Sequence, residues 1–519
     1  MIKKQGTARL LCLLMCCVLA CTLTGCVGGI DAMRGEESIT LPPAAVRYDA
    51  PMGDTNQEVS QTVLLYVPNA AGTRLIAQAE HITVLAARHP AEAALRSLFA
   101  FNGTDAAQPL TRSATLQLSP VNPVEISGGT ATVNLGASAL ALSHEEFYVV
   151  CQAIANTLTQ WGDIRYVNVL VSSTQPGLDV GANVPVGCFS QNLNDSIDTL
   201  MASAATQAAV PADRRVSLAA TLYYPAYAGR GILAETRTVS FDGRGKTELM
   251  RALLSNLSQN AQSIDNTVPL PVLTDYLSAP PAIQEIAVTG GQRAVLHFQQ
   301  GFNDALIAAG VPRSVMMAAL TYTLTGFIPG LNGVTVYIGE ELITAVVPNG
   351  IYEGAGEAVN FEEGVMRRSD FSRFLLANCT LYFSDGADRL RAVQRPIPYY
   401  ETRSARYLLG CLMQGPQSVD SRSDTQAVLP DSLSDADLLG VGLSGNVMLL
   451  NFTSHLPAAA EGVSESAERL MVYAIVNTLC ELPAVRSVCF FINGAQPDTL
   501  AGSLYLPGTF LKNGSLVRD

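Results

Sequence analysis

The chain has 519 residues, length for about three or four domains of ~100 to 200 residues each, which excludes a single small module. Hydrophobic residues make up 48% and charged residues only 15%, a balance that can bury sizeable cores and excludes a disordered chain. Asp and Glu outnumber Lys and Arg by 45 to 32, and the net charge of -13 offers nucleic acid no general attraction, so nucleic acid is not an expected partner.

At the N-terminus, Lys3, Lys4 and Arg9 stand before an apolar run from Leu10 to Leu23, the charged-then-apolar order of a secretory signal. The run is short for a membrane span, which needs about 20 residues. It ends in Leu23-Thr24-Gly25-Cys26, which resembles the lipobox of bacterial lipoproteins. The resemblance implies a signal peptide at 1–25, with Leu23, Thr24 and Gly25 recognised by the signal peptidase, and lipidation, palmitate included, of Cys26. A single myristoyl-sized chain binds a bilayer only marginally, so two or three chains on Cys26 are expected. Removing residues 1–25 takes away three cations and no acid, and the more acidic body that remains is repelled by anionic headgroups. Residues 26–60, which include Gly28, Gly29 and Gly53, are expected to act as a flexible tether. No later apolar run reaches about 20 residues, so membrane contact is expected through the Cys26 anchor.

The remainder repeats itself three times at intervals of roughly 160 residues. A short strand opens each copy: Thr62 to Pro68, Ala220 to Pro225 and Cys379 to Ser384, with Tyr66, Tyr223 and Tyr382 in equivalent places. An amphipathic helix follows at Pro90 to Phe99, Lys246 to Leu257 and Ser404 to Met413, where Leu95 with Leu98, Leu249 with Leu253, and Leu408 with Leu412 keep helical spacing. Glycine turns at Gly128-Gly129, Gly290-Gly291 and Gly445-Asn446 then join hairpin strands. A longer helix comes next: Glu145 to Gln160, Arg313 to Gly326 and Glu465 to Leu482. Its centre reads Ala155-Asn156-Thr157-Leu158, Thr321-Tyr322-Thr323-Leu324 and Val476-Asn477-Thr478-Leu479. A final strand closes each copy at Tyr166 to Val171, Val334 to Ile338 and Val488 to Ile492. Strand, helix, hairpin, helix, strand predicts an α+β fold of three tandem repeats, each a small β-sheet covered by two helices. The expected domains are 61–190, 216–351 and 378–519, joined by linkers at 191–215 and 352–377, each linker long enough for a connecting helix.

The third copy brings a family into view. Leu381-Tyr382-Phe383, then Leu412-Met413-Gln414-Gly415-Pro416, Leu429-Pro430, the Val447 to Phe452 strand, Tyr473 to Leu479 and Val488 to Gly494 together resemble a GerMN domain. Copies one and two join it through the internal repeat. They lack the Gly-Pro after the first helix, and copy two has Tyr322 where the others have Asn156 and Asn477. The resemblance implies a fold similar to the ring-building modules of secretion and sporulation channels. It also implies a role in sporulation or germination as an assembly part of the cell envelope, in a Gram-positive spore former, rather than an enzyme.

Reactive constellations are weak in the sequence. His81, His89, His144, His297 and His455 are scattered, and His144-Glu145-Glu146-Phe147-Tyr148 has Tyr148 where a zincin helix needs its second histidine, so no metal is expected. Gly245-Lys246-Thr247 opens a helix, but Ser240 stands where a phosphate loop needs glycine. No Gly-x-Ser-x-Gly elbow occurs. Beyond residue 26, Cys151, Cys188, Cys379, Cys411, Cys480 and Cys489 read as small buried hydrophobes, with a Cys480–Cys489 disulfide as the alternative outside the membrane. Asn156 and Asn477 suit a side-chain bond to a neighbouring segment better than a ligand contact, since buried amides need partners. Tyr66, Tyr223 and Tyr382 read as packing residues before sugar platforms.

The function expected is a lipoprotein on the outer face of the cytoplasmic membrane. It is read as a non-enzymatic scaffold or assembly factor, without cofactor or catalytic residues, whose partners are envelope proteins of a sporulation or germination complex. The alternative readings are a cell-wall (peptidoglycan) binding module and a wall hydrolase with a dispersed site. The hydrolase calls for a deep polar cleft holding carboxylates of unusual pKa.

Overall fold

Each repeat opens with a long two-stranded hairpin, where a single strand was predicted. In the computed structural model, which describes residues 47–55, 57–179, 181, 183–209, 214–242 and 245–518, β1 (Glu58–Pro68) pairs antiparallel with β2 (Leu75–Leu85). Val63, Leu65 and Val67 alternate into the core, as a strand with one covered face requires. α1 (Ala91–Ala100) packs on this hairpin through Ala91, Ala94, Leu95 and Leu98, the apolar stripe of a helix. β3 (Val124–Ser127) and β4 (Thr130–Leu135) then form a second hairpin. α2 (His144–Leu158) crosses over to β5 (Tyr166–Val171), which runs parallel to β4, giving the order β3-β4-β5. Ser143 and Glu146 close a capping box at the start of α2, satisfying two backbone donors. α3 (Ile197–Ala208) lies within the first expected linker.

The middle repeat runs β6 (Arg215–Pro225), β7 (Ile232–Asp242), α4 (Lys246–Leu257), β8 (Ala282–Glu285), β9 (Gln292–Phe298), α5 (Phe302–Ala308), α6 (Arg313–Thr325), β10 (Leu331–Ile338) and β11 (Glu341–Leu342). Its second sheet has the order β11-β10-β9-β8. Every residue from Ser314 to Thr325 is buried, so α6 is covered on all sides. β12 (Ala345–Val346) pairs with β13 (Val359–Asn360), and the second expected linker carries 3₁₀ turns in place of a connecting helix. Phe361, Met366, Phe371 and Phe374 of that stretch complete the middle core.

The third repeat comprises β14 (Leu376–Ser384), β15 (Leu390–Pro398), α7 (Ala405–Met413), β16 (Leu438–Ser444), β17 (Val447–Phe452), α8 (His455–Ala459), α9 (Glu465–Leu479), β18 (Ser487–Ile492) and β19 (Phe510–Leu511). The fold is α+β, and each repeat divides its strands between a hairpin and a separate three- or four-stranded sheet. Three apolar cores result, with Leu65, Leu95 and Ile154 in the first, Leu222, Leu253 and Leu320 in the second, and Leu381, Leu409 and Ile475 in the third. Each such side chain contributes about 1.5 to 3 kcal/mol by leaving water. No single helix among the described residues is long and apolar enough to cross a membrane.

Candidate functional site

Cys26 and the recognition residues Leu23, Thr24 and Gly25 lie outside the described residues, as does most of the expected tether at 26–60. The described end of that tether is bound into the fold. Gly53 and Thr55 donate their backbone N–H groups to Leu439 O (2.8 Å) and Val441 O (2.9 Å) of β16. Asn451 Nδ2 donates to Pro51 O at 3.0 Å, and Arg406 holds both carboxylate oxygens of Asp54 at 2.6 and 2.8 Å. Gly440 and Gly442 leave the room: a Cβ on Gly440 would stand 2.5 Å from Pro51 O, and one on Gly442 2.7 Å from Thr55 Oγ1. The chain thus enters across the sheet of its third repeat before beginning its first.

The motif residues act inside each repeat. Thr157, Thr323 and Thr478 accept the backbone N–H of Tyr66 (3.1 Å), Tyr223 (3.0 Å) and Tyr382 (3.2 Å). Asn156 takes the N–H of Asn192 at 2.8 Å and donates to its carbonyl at 2.7 Å; Asn477 does the same with Asn513 at 2.8 and 3.1 Å. These buried amides are structural clips. The three tyrosines are buried, which removes them as sugar platforms.

Tyr322, the departure from the asparagine pattern, serves the joint between repeats. Its hydroxyl donates to Glu125 Oε1 of β3 at 3.0 Å. Arg368 Nε and Nη2 both donate to Glu125 Oε2, at 3.0 and 2.8 Å, and Nη2 also reaches Tyr223 Oη at 2.9 Å. The guanidinium lies 3.8 Å from the centre of the Tyr322 ring. Glu125 and Arg368 are almost fully buried, so each charge depends on the other for compensation. Burial opposes the charge on Arg368, but Tyr223, Glu125 and Tyr322 outweigh it and raise its pKa; burial, then the Glu125 charge, raises that of Tyr322. Next to this cluster, Ser127 Oγ donates to Leu376 O and accepts from Ala234 N, tying all three repeats at one point. A Cβ on Gly128 would fall 1.6 Å from Ala234 O, so the turn glycine also permits the approach of the second repeat.

In the third repeat, Arg395 binds Asp420 bidentately at 2.6 and 2.8 Å and caps the end of α7 through Cys411 O (2.9 Å) and Gly415 O (2.7 Å). This accounts for the Gly415-Pro416 of the third copy: Gly415 takes φ +70° and turns its carbonyl to the buried guanidinium.

Between the first and third repeats lies a cleft of about 1160 Å³, lined by Arg88, His89, Trp161, Arg165, Tyr400 and Arg403 among others. Ala91 N–H donates to His89 Nδ1 at 3.0 Å, which assigns the imidazole proton to Nε2, 3.1 Å from Asp163. Arg403 reaches the same Asp163 oxygen at 3.2 Å from the third repeat. Burial lowers the pKa of His89 against the raising effect of Asp163. Burial would raise that of Asp163, but His89 and Arg403 bring it down to about 2. Asp163 is a fixed anion committed to His89 and Arg403 and bridging two repeats, and its pKa is lowered where that of a general acid is raised.

Other sequence candidates have structural places. Lys246 Nζ donates to Gln292 Oε1 at 2.7 Å and Thr247 Oγ1 to Pro281 O at 3.0 Å, which commits the supposed phosphate-loop residues to packing. His297 stacks on Tyr337. Cys480 and Cys489 are free thiols. Burial pushes Cys188 and Cys411 up to about 11 and raises Cys151 and Cys379, so these thiols stay protonated at neutral pH. Among the described residues no group of His, Cys, Asp or Glu is placed to hold a metal.

The family model Germane, described as sporulation and spore germination, matches residues 64–175 and 380–498. The middle repeat lies outside both matches. Among solved structures, the tandem GerMN domains of the sporulation protein GerM from Bacillus subtilis match at 18% identity over 60% of this chain and 99% of that one, with TM-score 0.21. The first GerMN domain of the same protein matches at 21% identity over 22% of this chain and 83% of that one, with TM-score 0.17. No curated protein matches the chain. The first and third repeats thus carry the Germane signature, and the chain resembles the GerMN-domain proteins.

Proposed function

We propose that this chain is a lipoprotein held by Cys26 on the outer face of the cytoplasmic membrane, where it acts as a non-enzymatic scaffold for a sporulation or germination complex of the envelope. The observation that carries the reading is the Glu125–Arg368–Tyr322 cluster, which spends a buried ion pair on fixing one repeat against the next. Such a lock serves a part whose product is geometry. The partners on this reading are envelope proteins. The edge strand β8, exposed at Ala282, Gln284 and Glu285, gives the middle sheet a place to accept a partner strand. Docking of residues 51–55 on β16 supports a reading in which anchoring and orientation are coupled.

The test is a crosslinking pull-down of the tagged protein from growing and from sporulating cells, with Cys26→Ala as the unanchored control. Specific envelope proteins enriched in sporulating cells, and lost with Cys26→Ala, are the expected result. Equal recovery with and without Cys26, or no envelope protein above background, overturns the proposal.

A further inference from the structure

Within an acidic chain, the cleft between the first and third repeats gathers cations. Arg88, Arg96, Arg165 and Arg403 line it together with His89. Arg96 is neutralised by Glu92, and Arg403 by Asp163. Among the described residues, neither Arg88 nor Arg165 has an acidic partner within ion-pair distance, and both are exposed. A cation that packing does not need, set in a concave wall, focuses field toward an anion.

Aromatic surface accompanies the charge. Trp161, the one tryptophan of the chain, lines the cleft half-buried, fixed edge-on by His89 at 5.3 Å between ring centres. Tyr399 and Tyr400 stand on the facing repeat, themselves edge to face at 5.4 Å. Asn378, a residue of the cleft wall, keeps a buried side-chain oxygen, Oδ1, without a hydrogen-bond partner among the described residues. The volume of about 1160 Å³ exceeds the ~300 to 1,000 Å³ usual for small-ligand pockets, which leaves room for several linked units. Flat rings suit the C–H faces of sugars, and the arginines suit carboxylate or phosphate carried by the same chain.

We propose that this cleft binds an anionic glycan segment of the envelope, its acidic groups on Arg88 and Arg165 and a sugar face against Trp161. The choice of an envelope glycan rests on the extracytoplasmic location proposed above; the chemistry of the cleft does not. Carboxylate-bearing peptidoglycan fragments and phosphate-bearing polyols are the two sources of such chemistry, and an acidic peptide is the competing occupant.

Because Trp161 is the single tryptophan, its emission reports the site directly. The full chain purified from membranes is titrated with a soluble muropeptide, a polyglycerol phosphate, a neutral chitooligosaccharide and a poly-glutamate peptide. Saturable change with the muropeptide or the polyol phosphate is expected, with the stronger of the two naming the source. Binding should weaken with salt and fall about tenfold or more in Arg88→Gln/Arg165→Gln, whose exposed positions leave folding intact. No saturation with either anionic glycan, equal binding of the neutral sugar, tighter binding of poly-glutamate, or an unchanged affinity in the double variant overturns the proposal. These titrations stand apart from the pull-down, so a protein placed elsewhere in the cell still gives a result for the cleft.

Discussion

The hydroxyl of Thr478 in α9 accepts the backbone N–H of Tyr382 in β14 at 3.2 Å, joining the long helix of the third repeat to its opening hairpin. Thr157 with Tyr66 and Thr323 with Tyr223 repeat the bond. A strand N–H facing a helix has no ladder partner there, and the threonine supplies one. Replacing Thr478 with Val keeps the shape and deletes the acceptor. Loss of about 1 to 3 kcal/mol is expected, the cost of a buried donor left unpaired, and urea unfolding monitored by circular dichroism measures it. A change below about 0.5 kcal/mol would show that the bond is incidental.

The Glu125–Arg368 pair joins the first repeat to the middle one. Arg368→Met should cost about 3 to 5 kcal/mol by stranding a buried carboxylate, whereas Glu125→Gln with Arg368→Met should recover much of that loss because no charge is left unpaired. Thermal unfolding of the two variants decides the matter. Equal destabilisation in both would mean that shape, and not charge, holds the joint.

Docking of residues 51–55 on β16 depends on two positions without a Cβ. Gly440→Val places carbon where Pro51 O and Gly53 N now lie, so the segment should leave the sheet edge while the third core stays folded. Limited proteolysis should then cut near residue 50 at least several-fold faster, since cleavage follows local opening. Unchanged cleavage with unchanged melting would contradict the geometry.

Acidification should weaken the contact between the first and third repeats in two stages. Folding lowers the pKa of His89 below its ordinary 6.5, so the unfolded chain takes up a proton first and stability falls as the pH drops through that value. Asp163 is lowered from 3.8 to about 2, so its contribution, full above 3.8, is lost between those two values. Melting temperature measured from pH 8 to pH 2 should show both stages, and His89→Gln should remove the upper one and shrink the lower, because His89 helps to hold Asp163 down. An upper stage that survives in His89→Gln belongs to another group.

Much of the repeat was legible because its signals are local. α4, β5 and β17 fall where apolar periodicity put them, and the capped helices α2 and α9 and the fully covered α6 begin within a residue of their expected starts. The partner strands of the opening hairpins escaped notice. β2 is exposed along much of its length and shows no clear alternation, while β15 contains Pro396, Pro398 and the buried Arg395, features that argue against a strand when read in sequence. The connecting stretch at 352–377 is mixed in composition, yet Phe361, Met366, Phe371, Phe374, Leu375 and Leu376 fill the middle core, with the 3₁₀ turn over 368–374 packed against α6.

The sequence by itself determined the threefold repeat, the order of two helices and four strands in each copy, and the motif positions Asn156, Thr157, Asn477 and Thr478, because each rests on spacing within a few turns or on copies compared with one another. Only the tertiary structure decided what holds the repeats together. Glu125 meets Arg368 across 243 residues, and Asp163 meets Arg403 across 240. No periodicity connects such partners; burial does, because a charge removed from water must find its counter-charge wherever the fold brings one within reach.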